Sequence, residues 1–256
     1  MSSSWFSFEF LGTRALWCAG LAAVAVVGAM QAPQVLAQES ETEVFAIARG
    51  GLFYDNWYEA LEMIDPKQTH PAYPAAGGQS GAATWRCKEC HGWDYRGVDG
   101  AYGQGSHFTG IKGIREMVGV DPAVIAEVIR DDVHAYSQEL LSDSAVEKLA
   151  LFVSRGQLDM AQYIDNASKQ ARGEAARGAR FFQTICAVCH GFDGKTLNFG
   201  DEAEPEYVGT VASENPWEAL HKIRNGQPGV QMIALTVLSV QDQVDILAYA
   251  QTLPAE

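Results

Sequence analysis

The chain has 256 residues, with 32 Asp and Glu against 18 Lys and Arg, a formal net charge of −14 at pH 7. That balance excludes nucleic acid and anionic lipid as natural counterparts and favours partners that carry a basic docking patch. Hydrophobic residues make up 47% and cysteines number 5, enough apolar material for one or two domains with modest cores.

An apolar run from Ala15 to Met30 follows a single basic residue, Arg14, and precedes Val35-Leu36-Ala37. The run is shorter than the roughly 20 residues that span a bilayer, and Val35 and Ala37 suit the −3 and −1 positions of a signal-peptidase site. Residues 1–37 are therefore expected to be a secretory signal peptide cleaved after Ala37, with an uncleaved anchor as the rival reading. Cleavage would remove Arg14 and Glu9, leaving 17 bases and 31 acids, again −14. The expected address is the periplasm, with no membrane span after cleavage.

Residues 38–83 form an N-terminal extension. Val44, Ile47, Ala48 and Leu52, then Trp57, Tyr58 and Leu61, recur at helical spacing, with Gly50-Gly51 interrupting. One broken helix is expected, followed by a Pro- and Gly-rich loop from Pro66 to Gly81.

Cys87-Lys88-Glu89-Cys90-His91 comes next, and the arrangement returns as Cys186-Ala187-Val188-Cys189-His190. C-x-x-C-H is the signature of covalent haem attachment. Two thiols that add to the vinyl groups of one porphyrin must lie one helical turn apart, and the following histidine supplies the proximal imidazole. The two copies use every cysteine after the leader. Two haem c groups are expected, bound through Cys87 and Cys90 and through Cys186 and Cys189, with His91 and His190 on the irons. In an exported chain the thiols could instead form disulfides. Zinc pairs lie roughly 15–20 residues apart, whereas 95 residues separate Cys90 from Cys186.

Residues 92–113 contain seven glycines and several aromatics, which predicts irregular chain laid against a flat apolar group. Asp121-Pro122 should open a helix, and Ser142 should cap a second one running to Arg155 and stopped by Gly156. In the second half Ser168 is expected to open a helix that leads through Phe181 and Phe182 into the second motif. Asn215-Pro216 starts another that ends at Asn225-Gly226, and Ser239 caps the last, which stops before Pro254. The halves register: Cys87 maps to Cys186 at 99 residues, Pro122 to Pro216 at 94, and Phe152 to Tyr249 at 97. An internal duplication of about 97 residues is too long for a solenoid repeat.

On these residues each half resembles a class I c-type cytochrome: a helix, C-x-x-C-H, an irregular loop, a helix, a distal-ligand loop and a final helix. The resemblance covers about 84–155 and 168–253. It implies a mainly α fold of two cytochrome c-like helical domains, 84–160 and 161–256, each around one covalent haem, and leaves 38–83 unexplained. It also implies a sixth iron ligand from the loop before the last helix. In the second half this is Met232, 42 residues after His190, although core filling is the ordinary role of a methionine. The first half has no methionine there but has His134, 43 residues after His91, so His134 is the expected ligand. Its rivals are His70, His107, Met117, Met160 and an open site.

A thioether ligand favours Fe(II) over a second imidazole, so the second haem is expected at the higher potential, with electrons entering at the first. The implied function is periplasmic electron transfer, as a soluble carrier or as the cytochrome subunit of an oxidoreductase, with redox proteins as partners. The alternative is a dihaem enzyme such as a peroxidase or a sulfur-compound oxidoreductase. The sulfur-oxidising kind with a distal cysteine lacks a fifth cysteine here after cleavage. Arg130 and Arg224 recur at matched places and could pair with haem propionates or make surface salt bridges. His221 reads as a surface or satisfied core histidine.

Overall fold

The first helix, α1 (Ala32–Ala60), passes through Gly50-Gly51 without interruption and departs from helical geometry only at Asn56, with φ −154°. The break expected at the two glycines is therefore displaced by one and a half turns. The reason lies in the helices they meet, α4 (Asp143–Leu151), which runs on in a wider π-helical turn to Gly156, and α8 (Pro216–Asn225). A Cβ on Gly50 would strike the Lys148 carbonyl oxygen, and one on Gly51 would strike the Asn225 side chain. Glycine is kept because two other helices press on it, one on each side.

This computed structural model describes residues 32–255, so the apolar run Ala15–Met30 of the expected leader lies outside the described residues. Contacts divide the chain into residues 1–42 and 43–256, and the latter unit holds both C-x-x-C-H motifs. The fold is mainly helical. No strand occurs among the described residues, where sheet-like pairing is limited to isolated bridges such as Gly97 with Lys112 and Gln227 with Met232. None of the described helices is long and apolar enough to cross a membrane.

The short helix α2 (Cys87–His91) carries the first motif. Helix α3 (Pro122–Arg130) starts where Asp121 accepts the Ala123 amide, and α4 where Ser142 accepts that of Ala145. In the second half α5 (Ala175–Phe181) leads through a π-helical turn, Phe182–Cys186, into α6 (Ala187–His190). A helix absent from the sequence reading, α7 (Val208–Glu214), precedes α8, and α9 (Val240–Ala250) ends the fold behind its Ser239 cap. Ser168 opens no helix; its amide and hydroxyl are held by the Asp165 carboxylate instead.

The two halves repeat one crossing. A Cβ on Gly178 of α5 would strike the Asp245 carbonyl oxygen of α9, as one on Gly50 would strike that of Lys148 in α4. Lys148 and Asp245 are 97 residues apart, the spacing of the repeat. Helix α1 thus stands to α4 as α5 stands to α9. Around the first crossing Tyr54, Trp57, Trp93, Tyr95, Phe152 and Met160 are all buried.

Candidate functional site

Both C-x-x-C-H motifs fold into the same turn. The residue after each histidine is a glycine at positive φ, +78° at Gly92 and +80° at Gly191, a conformation that a side chain resists. The Gly92 amide donates to Lys88 O at 2.9 Å, and that of Gly191 to Ala187 O at 3.0 Å. The chain then curls under the histidine, whose carbonyl accepts from Gly97 at His91 (2.8 Å) and from Thr196 at His190 (3.0 Å). Every partner is displaced by 99 residues.

The four cysteines of the motifs form no disulfide with one another. Burial pushes the thiols of Cys87 and Cys90 up to about 12 and that of Cys186 up to about 11. They stand as neutral thiols, unlike the activated thiolates that attack substrates or bind zinc. Among the described residues no group of three or more His, Cys, Asp or Glu could hold a bare metal ion.

His91 and His134 face each other, with ring centres 6.2 Å apart and planes inclined by 28°. The His91 Nδ1–H donates to the Lys112 carbonyl at 2.8 Å, and burial lowers its pKa to about 4, so the ring is neutral with a lone pair on Nε2. The His134 Nδ1–H donates to Asp131 Oδ1 at 3.1 Å, and the same oxygen accepts the His134 amide at 2.8 Å. Among the described residues no hydrogen bond engages the Nε2 of that ring. Two imidazoles on opposite sides of one metal, each bonded at about 2 Å, need ring centres roughly 6 Å apart. Spacing and donor set both fit an iron between His91 and His134, in a porphyrin that Cys87 and Cys90 would hold.

The rivals of His134 are engaged elsewhere. His107 pairs with Glu89 at 2.7 Å, Met160 is a core residue and Met117 packs on the core's edge. His70 lies behind His134, its Nε2 2.8 Å from the His134 carbonyl. Arg130, a candidate propionate partner, holds the distal loop: its guanidinium donates to the carbonyls of Tyr136 and Leu141 at 2.7 and 2.6 Å. Asp131, which aims the His134 ring, was missed in the sequence. Its signal was an aspartate three residues ahead of the candidate ligand, the spacing of a side chain that closes its own turn.

The second motif is more open. His190 Nδ1 is buried without a hydrogen-bond partner among the described residues, and its ring lies edge-on to Phe199 at 5.8 Å. Met232 is half-buried at the close of a loop bridged by Gln227, where Gly226 turns at φ +90° against the Met232 carbonyl. No hydrogen bond or ring contact joins His190 to Met232 among the described residues. Val188, Phe192, Val230 and Ile233 are exposed around this motif and its loop.

Residues 173–249, which include Cys186, Cys189, His190 and Met232, match the family model described as cytochrome C oxidase, cbb3-type, subunit III. No curated protein and no solved structure matches the chain. The family match and the helical fold support a c-type cytochrome domain at residues 173–249, the kind of unit that holds haem for electron transfer.

Proposed function

We propose that the protein is an exported dihaem cytochrome that passes electrons through two covalently bound haem c groups, as a periplasmic carrier or as the cytochrome subunit of an oxidoreductase. The observation that carries this reading is the His91–His134 pair, two imidazoles each held through Nδ1, with ring centres at the separation one iron requires. The matched turns of the two motifs extend it to a second haem on Cys186, Cys189 and His190. The first haem domain then begins in α1, whose glycine crossing with α4 repeats that of α5 with α9, rather than at residue 84.

Haem c supplies a one-electron iron couple when bound. The chain's residues determine how that couple behaves. Cys87 and Cys90 would hold the porphyrin, and His91 with His134 would both bind its iron, which would leave that iron no position for a substrate. Met232 as the second distal ligand would set that iron at the higher potential, so electrons would enter at the first haem and leave from the second. Residues 38–165 carry 10 bases and 20 acids, and 166–256 carry 7 and 11. A basic redox partner is steered more strongly to the first half. Residues 1–37 act as the leader. The exposed Cys189 and the apolar rim around it favour one other reading, a second haem whose distal side opens to peroxide or a sulfur compound.

Haem content, EPR and a redox titration of the oxidised full chain and of His134→Met test the proposal. Two haems per chain are expected, one bis-histidine and one His/Met, with the bis-histidine haem the lower in potential and converted in the variant. One haem per chain, or equal potentials, would overturn it. Turnover of peroxide or thiosulfate above a free-haem background would favour the enzyme.

A further inference from the structure

We infer that His70 is a positioning residue for the first distal ligand: its Nε2–H holds the His134 carbonyl and keeps the His134 imidazole turned toward His91. This rests on the bis-histidine reading above. The Ala72 amide donates to His70 Nδ1 at 3.1 Å, so the ring proton is on Nε2, which donates to His134 O at 2.8 Å.

The peptide group that this bond grips joins His134 to Ala135. Ala135 has φ +54°, a left-handed conformation that a non-glycine residue holds only when its surroundings impose it. Both sides of the peptide are held. Its N–H donates to Asp131 O at 2.8 Å, and its carbonyl accepts from His70. Asp131 aims the ring from the front and His70 anchors the backbone from behind.

His70 is itself fixed. It is buried, its amide donates to Thr84 Oγ1 at 2.8 Å, and the Thr84 hydroxyl donates to Gly81 O at 2.6 Å. The Trp85 indole N–H reaches Gln68 O at 2.7 Å, and the His70 ring packs against those of Trp85 and Tyr136, 4.4 and 5.8 Å away. The loop is thus stitched to the turn Gly81–Trp85, directly ahead of Cys87.

The second half has no equivalent of this loop. From the crossing glycine to the first motif cysteine is 87 − 50 = 37 residues in the first half and 186 − 178 = 8 in the second. The additional 29 residues contain His70. They make the distal histidine of the first haem a fixed ligand.

The test uses the haem-loaded full chain with His70→Phe and His70→Gln. Phe keeps a ring against Trp85 and Tyr136 but has no N–H, whereas Gln keeps a donor. Cyanide binding to the oxidised protein reports how often His134 leaves the iron. Losing one donor to a carbonyl should speed it by roughly 2- to 10-fold in the Phe variant, with a high-spin EPR signal, and Gln should restore wild-type behaviour. A Phe variant with the wild-type rate and spectrum overturns the inference, as does an equal change in Phe and Gln. If Phe takes up no haem, a Gln variant that matches wild type supports the inference and one that also fails overturns it. A wild-type chain without a bis-histidine signal removes the underlying reading before any variant is made. A bis-histidine wild type with an unaltered Phe variant removes only this inference.

Discussion

The Lys222 ammonium stands 2.9 Å from the Asp55 carboxylate, whose other oxygen meets the Arg86 guanidinium. One fully buried acid thereby joins α1, the residue ahead of Cys87, and the helix whose Lys222 also reaches Gln227 in the Met232 loop. Removing it leaves the mostly buried Arg86 and Lys222 cations without the carboxylate they share. Asp55→Ala should cost about 3–5 kcal/mol, seen as a lower urea midpoint. Burial alone would raise the Asp55 pKa, but the Lys222 and Arg86 charges outweigh it and the net shift is downward. The stabilisation is therefore complete above the unfolded carboxylate value of about 3.9 and fades as pH falls through the lower folded value. The variant should lose that acid limb.

His221 is a second buried hub, and a neutral one. Its Nε2–H donates to Gly51 O at 2.9 Å, and its Nδ1 accepts the Tyr95 hydroxyl at 2.8 Å. Burial pushes its pKa down to about 4, so the unfolded chain binds the extra proton between there and about 6.5. Stability from this group is present above about 6.5 and lost on acidification, by on the order of 2–3 kcal/mol at pH 4.5 relative to pH 7. In His221→Phe that difference should vanish from urea midpoints taken at the two pH values. A variant with an undiminished pH difference would assign it to other groups.

Legibility followed the range of the interactions. Asp121, Ser142, Asn215 and Ser239 were readable as helix caps because each side chain accepts an amide two or three residues on. That His134 lies near His91 was legible from its distance along the chain, since the repeat carries its own register. His70 was not, because the group it holds lies 64 residues away. Gly50-Gly51 misled for the same reason. A helical glycine costs about 1 kcal/mol relative to alanine, which reads locally as a break, while the contacts that demand it come from α4 and α8. The crossing of α1 with α4 was not legible either, because 29 more residues separate its glycine from the motif than in the second half.

That crossing gives a paired prediction. Gly50→Ala and Gly178→Ala place a methyl against the carbonyl oxygens of Lys148 and Asp245, backbone that cannot swing aside. Each should destabilise the protein by about 1–3 kcal/mol, despite alanine's better helix propensity. Matching losses in urea unfolding would mark the two crossings as equivalent. A stabilised Gly50→Ala would mean that α1 does not close on α4 as α5 closes on α9.

Asp131 offers the narrowest test of the first haem. Its Oδ1 accepts the Val133 and His134 amides and the His134 Nδ1–H, and these bonds, led by the His134 amide, hold its carboxyl below the ordinary range. A carboxylate on Nδ1–H makes an imidazole a stronger ligand and orients its ring. In the proposed bis-histidine haem this would favour Fe(III) and keep the potential low. Asp131→Asn leaves an acceptor in the same place, so the turn is kept while the charge is lost. The first haem's potential should rise and the second's should stay where it is, as read by absorbance in a redox titration. A shift in both would point to a general electrostatic effect of removing one surface acid. A shift in neither would mean that His134 is not on the iron, since a carboxylate can tune a haem through an imidazole only if that imidazole is bound.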